Sequence, residues 1–373
     1  METMTLDTAT WKDKTAQLAK SFAENAAAQD DKGEFVHANY ELLKANEYFS
    51  VLVPEELGGA GLPYAEVCQL IRTLGNQCGS TALAFSMHQH LIAATVWKYK
   101  HKGQGAPLLT NVADNQLVLV STGARDWLGS NGSMKKVEGG YLVNAKKAFA
   151  SQSAAGNILV TSAPYLDETN AWQVLHFGVP FKAEGVSLLD DWNVMGMRAT
   201  GSQTVVLNDV FVPDSAIALA RDRDAFHPVW NVVLTVAMPL IMSAYVGIAE
   251  RARTLALAHA ASVQDQQHIP YLLGQLNNSW LAAHTQWQAM YARTNELDFE
   301  PNKAVSSEIL GLKTNVAEAC RETVSLAIEL VGGRSFYVKN ELERLFRDVQ
   351  ASQFHPLPKW EQYQFTAATL LEQ

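Results

Sequence analysis

The chain has 373 residues, 48% hydrophobic and 18% charged, with 9 Trp, 14 Phe and 11 Tyr, too long for one ordinary core and too apolar for disorder. Twenty-nine Lys and Arg against 38 Asp and Glu leave a net charge of −9, which excludes a general nucleic-acid binder needing a basic stripe. Three cysteines, Cys68, Cys78 and Cys320, show no metal-ligand spacing and exclude a disulfide scaffold or zinc ribbon.

The opening METMTLDTATWKDK lacks a basic start followed by an apolar run, so the expectation is a cytoplasmic protein without a signal peptide. Residues 9–48 read as helices, because Leu18, Phe22 and Ala26 recur at four-residue steps and Phe35, Tyr40, Leu42 and Leu43 continue the apolar pattern. Pro54 and the glycines at 58, 59 and 61 interrupt this pattern, and a helical texture resumes from Tyr64 to residue 115. The texture then changes to short runs rich in Val, Leu and Thr: LVLVSTGA, KKVEGGYLVNAKKAFAS, GNILVTSA, WQVLHFGVP, GVSLLDD and SQTVVLNDVFVP. Turn residues such as Gly139–Gly140 separate them, which predicts a β-sheet block.

From about residue 226 the helical period returns. The 22 positions from Pro228 to Ala249 carry no charge, long enough to span a bilayer. Arg221 and Arg223 on one side are balanced by Arg251 and Arg253 on the other, so nothing sets an orientation. A buried helix at the centre of a large bundle, and no membrane partner, is the expectation. The predicted fold class is α+β: an N-terminal helical domain at 1–115, a central antiparallel β-barrel-like domain at 116–225 and a C-terminal four-helix bundle at 226–373. No GxGxxG dinucleotide loop is present.

Four segments in order, VPEELGGAGL, NAKKAFASQSAAGNILVTSA, WNVMGMRATGSQTVVLNDVFVP and ELVGGRSFYVKNELERLFRDVQASQF, resemble the acyl-CoA dehydrogenase family of flavoproteins. The resemblance implies FAD, with FMN as the alternative. It puts Phe149 where the family stacks Trp on the flavin ring and Ser151 where a Thr hydroxyl meets flavin N5; an aromatic face and a hydroxyl keep that chemistry. STGARDWLGSNG stands where the family has its flavin-binding turn, and Ser121, Thr122, Gly129 and Ser130 remain as donors there. Arg198 is placed within reach of the flavin, and Gly332 and Gly333 where backbone approaches a neighbouring subunit's cofactor. Gln264 and Gln267 stand where the family has the Arg and Phe of a phosphate clamp, so the Arg fork is lost.

The same resemblance locates the base that removes an α-proton from an acyl thioester. One family position for that Glu is Pro356 here, and the other is Ala237 or a near neighbour inside the uncharged segment, so neither carries a carboxylate. His355 stands beside the first. Flavin monooxygenases on this scaffold carry a His near this position, able to stabilise a flavin hydroperoxide or take a phenol or amine proton. His88, His90 and Met238 are candidates for the substrate pocket, with no metal site because His88 and His90 lie two apart and share no helix face. The leading expectation is a flavin oxidoreductase that oxidises an acyl thioester at Cα–Cβ and passes electrons to an acceptor flavoprotein. The alternatives are a monooxygenase fed by a flavin reductase and a catalytically degenerate paralogue. The resemblance also implies a homodimer or homotetramer.

Overall fold

A computed structural model describes residues 10–123, 126, 129–263 and 266–372. The first helix, α1 (Trp11–Lys32), starts at Thr10, whose hydroxyl accepts from the Asp13 amide, a standard N-cap that satisfies an orphan donor. Helices α2 (His37–Ala45), α3 (Tyr64–Gln77), α4 (Gly79–Lys102) and α5 (Ala106–Asn115) follow. The strand block comprises β1 (Leu119–Ser121), β2 (Ser133–Val137), β3 (Gly140–Lys147), β4 (Ile158–Leu166), β5 (Trp172–Pro180), β6 (Val186–Leu188), β7 (Val205–Pro213) and β8 (Ile217–Asp222). Helices α6 (Val229–Ser262), α7 (Ile269–Ala292), α8 (Lys303–Val331), α9 (Glu341–Val349) and α10 (Lys359–Leu371) complete the chain.

The strands form one sheet in the order β6-β7-β3-β2-β4-β5-β8, with β1 paired to β4. Pairing is antiparallel except where β4 meets β1 and, at a single residue pair, β2. The turn residues at Gly139–Gly140 fall where β2 joins β3 as an antiparallel hairpin, with Val137 opposite Gly140. Strand β8 was not among the predicted runs. Its sequence IALARD alternates only partly, and it becomes a strand by adding to the edge of β5.

The uncharged segment is the first two-thirds of α6. Every residue from Trp230 to Ala249 except Val233 is buried, and 94% of its most apolar window is covered by protein. Helices α3, α4, α7 and α8 pack around it, so its apolarity answers a protein core. Pro239 sits inside this helix and cannot donate to the carbonyl four residues back. The Tyr64 hydroxyl donates to Val236 O at 2.6 Å and Trp287 Nε1 to Ser243 Oγ at 2.9 Å, so neighbouring helices tie into α6 on both sides of the proline.

Helices α3 and α6 meet backbone to backbone. A Cβ on Gly247 would stand 2.3 Å from Arg72 O, and one on Gly75 would stand 2.5 Å from Ala244 O. Only glycine permits that approach. Gly247→Ala is therefore expected to destabilise the fold by about 1–3 kcal/mol. Gly311→Ala, in helix α8 with open space around it, should gain up to about 1 kcal/mol. Urea unfolding of both variants checks this, and a neutral Gly247→Ala would refute the close crossing.

Candidate functional site

Strand β3 ends at Lys147, so Phe149 and Ser151 lie just beyond the strand on which the sequence reading placed them. Phe149 takes a left-handed backbone, φ 55°, and the residue is 65% exposed. Trp192 meets it edge-on, at 5.9 Å between centroids and 84° between planes. Ser151 is buried and accepts from Ser202 Oγ at 2.9 Å, while Ser202 shares a 2.7 Å hydrogen bond with Thr200. The Ser151 proton has no acceptor among the described residues. Gln152 fixes the turn: its side chain accepts from the Tyr40 hydroxyl at 2.6 Å and donates to Leu119 O at 2.8 Å. An open aromatic face two residues from a free hydroxyl donor is an arrangement a flat, electron-rich ring system fits.

Ser121 and Thr122 are buried at the end of β1. The next residue, Gly123, donates its amide to Ala148 O at 3.0 Å, so this segment lies against the Phe149 turn. Ser130 is committed elsewhere, donating to Ser162 O at 2.9 Å. Nearby, a buried ion pair joins Lys147 to Asp126 at 3.3 Å, and Lys147 also donates to Asn131 O at 3.0 Å. Burial pushes the Lys147 ammonium down, against the pull of Asp126. Gly129 lies near Asp224. The rest of the predicted turn, at 124, 125, 127 and 128, and also Gln264, lie outside the described residues.

Several predicted ligands are engaged otherwise. The Arg198 guanidinium donates to Asp30 O at 2.7 Å, Val194 O at 3.0 Å and Asp31 O at 3.5 Å. It closes the C-terminal end of α1. His88 bonds Phe49 O through Nε2 at 2.7 Å and accepts the Leu119 amide at Nδ1 at 3.0 Å. Both ring nitrogens bolt α4 to two backbone segments, so His88 is withdrawn from the substrate pocket. Met238 is fully buried in α6 and belongs to the core. Gly332 ends α8 with φ 71°, and Gly332 and Gly333 have open space around them. A recess of about 400 Å³ bounded by Leu52, Leu62, Tyr99, Lys100 and Glu296 contains none of the predicted site residues.

His355 follows α9 and the turn Gln350–Phe354. Its Nε2 lies 2.6 Å from the Tyr245 hydroxyl of α6. Lys313 of α8, buried, donates to Leu357 O at 2.9 Å, and burial brings its ammonium down to about 8. Burial first, then Lys313 and His90, push His355 down to about 3. His90 is buried and lowered to about 4; unlike His88, it acts electrostatically on His355. Neither Pro356 nor Ala237 supplies a carboxylate. The carboxyl that acts on Tyr245 is Asp348, raised by burial to about 6 and accepting the Met197 amide at 2.5 Å.

That last bond ties Met197 to α9. Arg347 donates to Met195 O at 3.0 Å and pairs with Asp30 at 2.6 Å. Loop 195–202, which supports Ser151 through Ser202 and Thr200, is thus held to the segment that carries His355. Sequence reasoning missed Tyr245, Lys313 and Ser202. The signal for the first two was a phenol and an ammonium inside otherwise apolar helix faces.

Residues 7–116 match the model of the acyl-CoA dehydrogenase N-terminal domain, and residues 240–360 match that of the C-terminal domain. YdbM of Bacillus subtilis (strain 168), which carries an acyl-CoA dehydrogenase name, is 26% identical over 93% of this chain and 92% of its own. SfnC of Pseudomonas putida, which carries the name of an FMNH2-dependent monooxygenase, is 23% identical over 91% of this chain and 89% of its own. Among solved structures, FMN-bound TdsC from Paenibacillus sp. A11-2 superposes with a TM-score of 0.85 at 19% identity, covering 96% of each chain.

Four histidines with lowered pKa values set a pH dependence. His88, His90, His176 and His355 are all lowered from 6.5 to about 3 or 4. Below pH 6.5 the unfolded chain takes up protons that the folded chain refuses, so stability falls as pH drops. Asp348, raised to about 6, acts in the opposite sense: it stabilises at low pH, and this is lost as pH rises through 6. The histidines outnumber it, so unfolding free energy should decline from pH 6.5 to 4, by at most about 1.4 kcal/mol per pH unit per histidine. A flat profile from urea midpoints at pH 7, 5.5 and 4.5 would contradict this.

Proposed function

Because this chain belongs to the acyl-CoA dehydrogenase family, we propose that it binds a flavin on that scaffold and uses it for monooxygenation of a small organic molecule, with reduced FMN delivered by a separate flavin reductase. One observation carries the reading. Where acyl-CoA oxidation requires a carboxylate to take the α-proton, the chain has Pro356 and Ala237, and the polar group standing there is a neutral histidine bonded to a buried phenol. The names of SfnC and of the dibenzothiophene monooxygenases, which match over most of this chain, support this reading over Cα–Cβ oxidation of an acyl thioester, the leading expectation from sequence.

FMN is preferred to FAD as the cofactor. FMNH2 and FMN stand in the names of SfnC and the TdsC structure, and the chain lacks the Arg that would clamp a dinucleotide, with Gln267 in that region. The residues present fit a flavin: Phe149 offers the open face and Ser151 the uncommitted hydroxyl proton. Bound reduced flavin supplies the two electrons that split dioxygen, one atom entering the substrate and the other leaving as water. The protein's part would be to offer Phe149 as a face for the ring and Ser151 as a donor, and to keep His355 neutral without offering a base strong enough to take an α-proton.

The reading is tested by titrating FMN and FAD, oxidised and reduced, into the protein. Reduced FMN should bind most tightly and raise Tm. Anaerobic mixing of the flavin-loaded protein with a panel of acyl-CoAs should leave the oxidised flavin absorbance unchanged. With a flavin reductase, NADH and 18O2, an aromatic probe such as indole should gain one labelled oxygen. Bleaching by an acyl-CoA, or no thermal shift with either flavin, would overturn the proposal.

A further inference from the structure

Tyr245 is the one phenol inside the uncharged stretch of α6, and it is fully buried. Burial keeps it protonated, raising it well above its usual range, with Asp348 and Cys320 adding to the effect. A buried phenol must place its proton. The one acceptor within hydrogen-bond distance among the described residues is His355 Nε2, at 2.6 Å. Were the imidazole to donate from Nε2 instead, the buried phenol proton would be left without an acceptor among the described residues, a cost of about 1–3 kcal/mol. The phenol therefore donates, and Nε2 accepts.

That assignment fixes the other side of the ring. A neutral imidazole that accepts at Nε2 carries its proton on Nδ1, and Nδ1 makes no hydrogen bond among the described residues. We propose that Tyr245 is a positioning residue that locks His355 in the Nδ1–H tautomer, so that His355 serves as a hydrogen-bond donor to the reacting oxygen or substrate and not as a general base. The groups facing the ring from the packed elements agree. Tyr245 stands on α6, Lys313 on α8 and His90 on α4; the two basic groups oppose a second proton on the ring. Asp348, on α9, acts on the phenol and accepts the Met197 amide. The pair also explains why a tyrosine occupies a helix that is otherwise core: it carries the ordering of α6 out to a residue on a turn 110 positions away.

The inference deepens the proposed function, but its first test needs no flavin. Two-bond 1H–15N spectra of the 15N-labelled protein, with His355 assigned by its loss in His355→Gln, should show Nδ1 protonated and Nε2 bare. Tyr245→Phe, which keeps the ring's volume, should move the signal toward the Nε2–H form that free histidine prefers. A wild-type Nε2–H signal, or no change in Tyr245→Phe, overturns the assignment whatever flavin does. With reduced FMN and probe, Tyr245→Phe should keep flavin affinity within twofold while product formed per FMNH2 consumed falls about tenfold and released hydrogen peroxide rises, the scale expected on losing the group that orients a functional histidine. A tautomer shift with unchanged coupling overturns the positioning role. Absence of flavin binding in both proteins would instead refute the proposed function and leave the tautomer result standing.

Discussion

Helix α6 has almost no face that tolerates water between Trp230 and Ala249, and the arrangement of the other helices follows from covering it. At about 25 cal/mol per Å² of apolar surface removed from water, a bare helix of this composition could not exist in solution. Helices α3, α4, α7 and α8 each pack on it, and the Gly75–Gly247 crossing lets α3 approach to backbone distance. The same helix carries Tyr245. The core element that holds the fold together thus also holds the one polar contact through which it reaches His355.

Around that core, buried polar groups set loop geometry. His88 ties α4 to Phe49 and Leu119, Gln152 ties the Phe149 turn to Tyr40 and β1, and Arg347 with Asp348 ties loop 195–202 to α9. Each group gives up hydration and recovers it as hydrogen bonds to backbone or to another side chain. The lowered histidines and the raised carboxyl of Asp348 share that cause, since burial penalises whichever form is charged.

The sequence reading is strongest where the signal is local. The helical period of α1, α6 and α8 and the short Val-rich runs of β3, β4, β5 and β7 were legible because side chains three or four apart, or two apart, already define a face. The Glu missing from Pro356 and Ala237 was legible because it is a matter of residue identity, given the resemblance. Strand β8 was not, because its pairing with β5 supplies more than its own sequence does. The left-handed backbone at Phe149 was not legible, because a positive φ at a non-glycine residue leaves no mark in the sequence.

Arg198, His88 and His355 show where sequence stops. Each was named from its chemistry, and each is bonded to a partner far along the chain: Arg198 to Asp30, 168 positions away, His88 to Phe49, 39 away, and His355 to Tyr245, 110 away. The sequence alone determined which segments are buried and in what order helices and strands occur, because hydrophobic periodicity is a property of neighbours. The tertiary structure alone decided which polar side chains were left for chemistry, because a hydrogen bond goes to whatever group the fold brings within 3 Å.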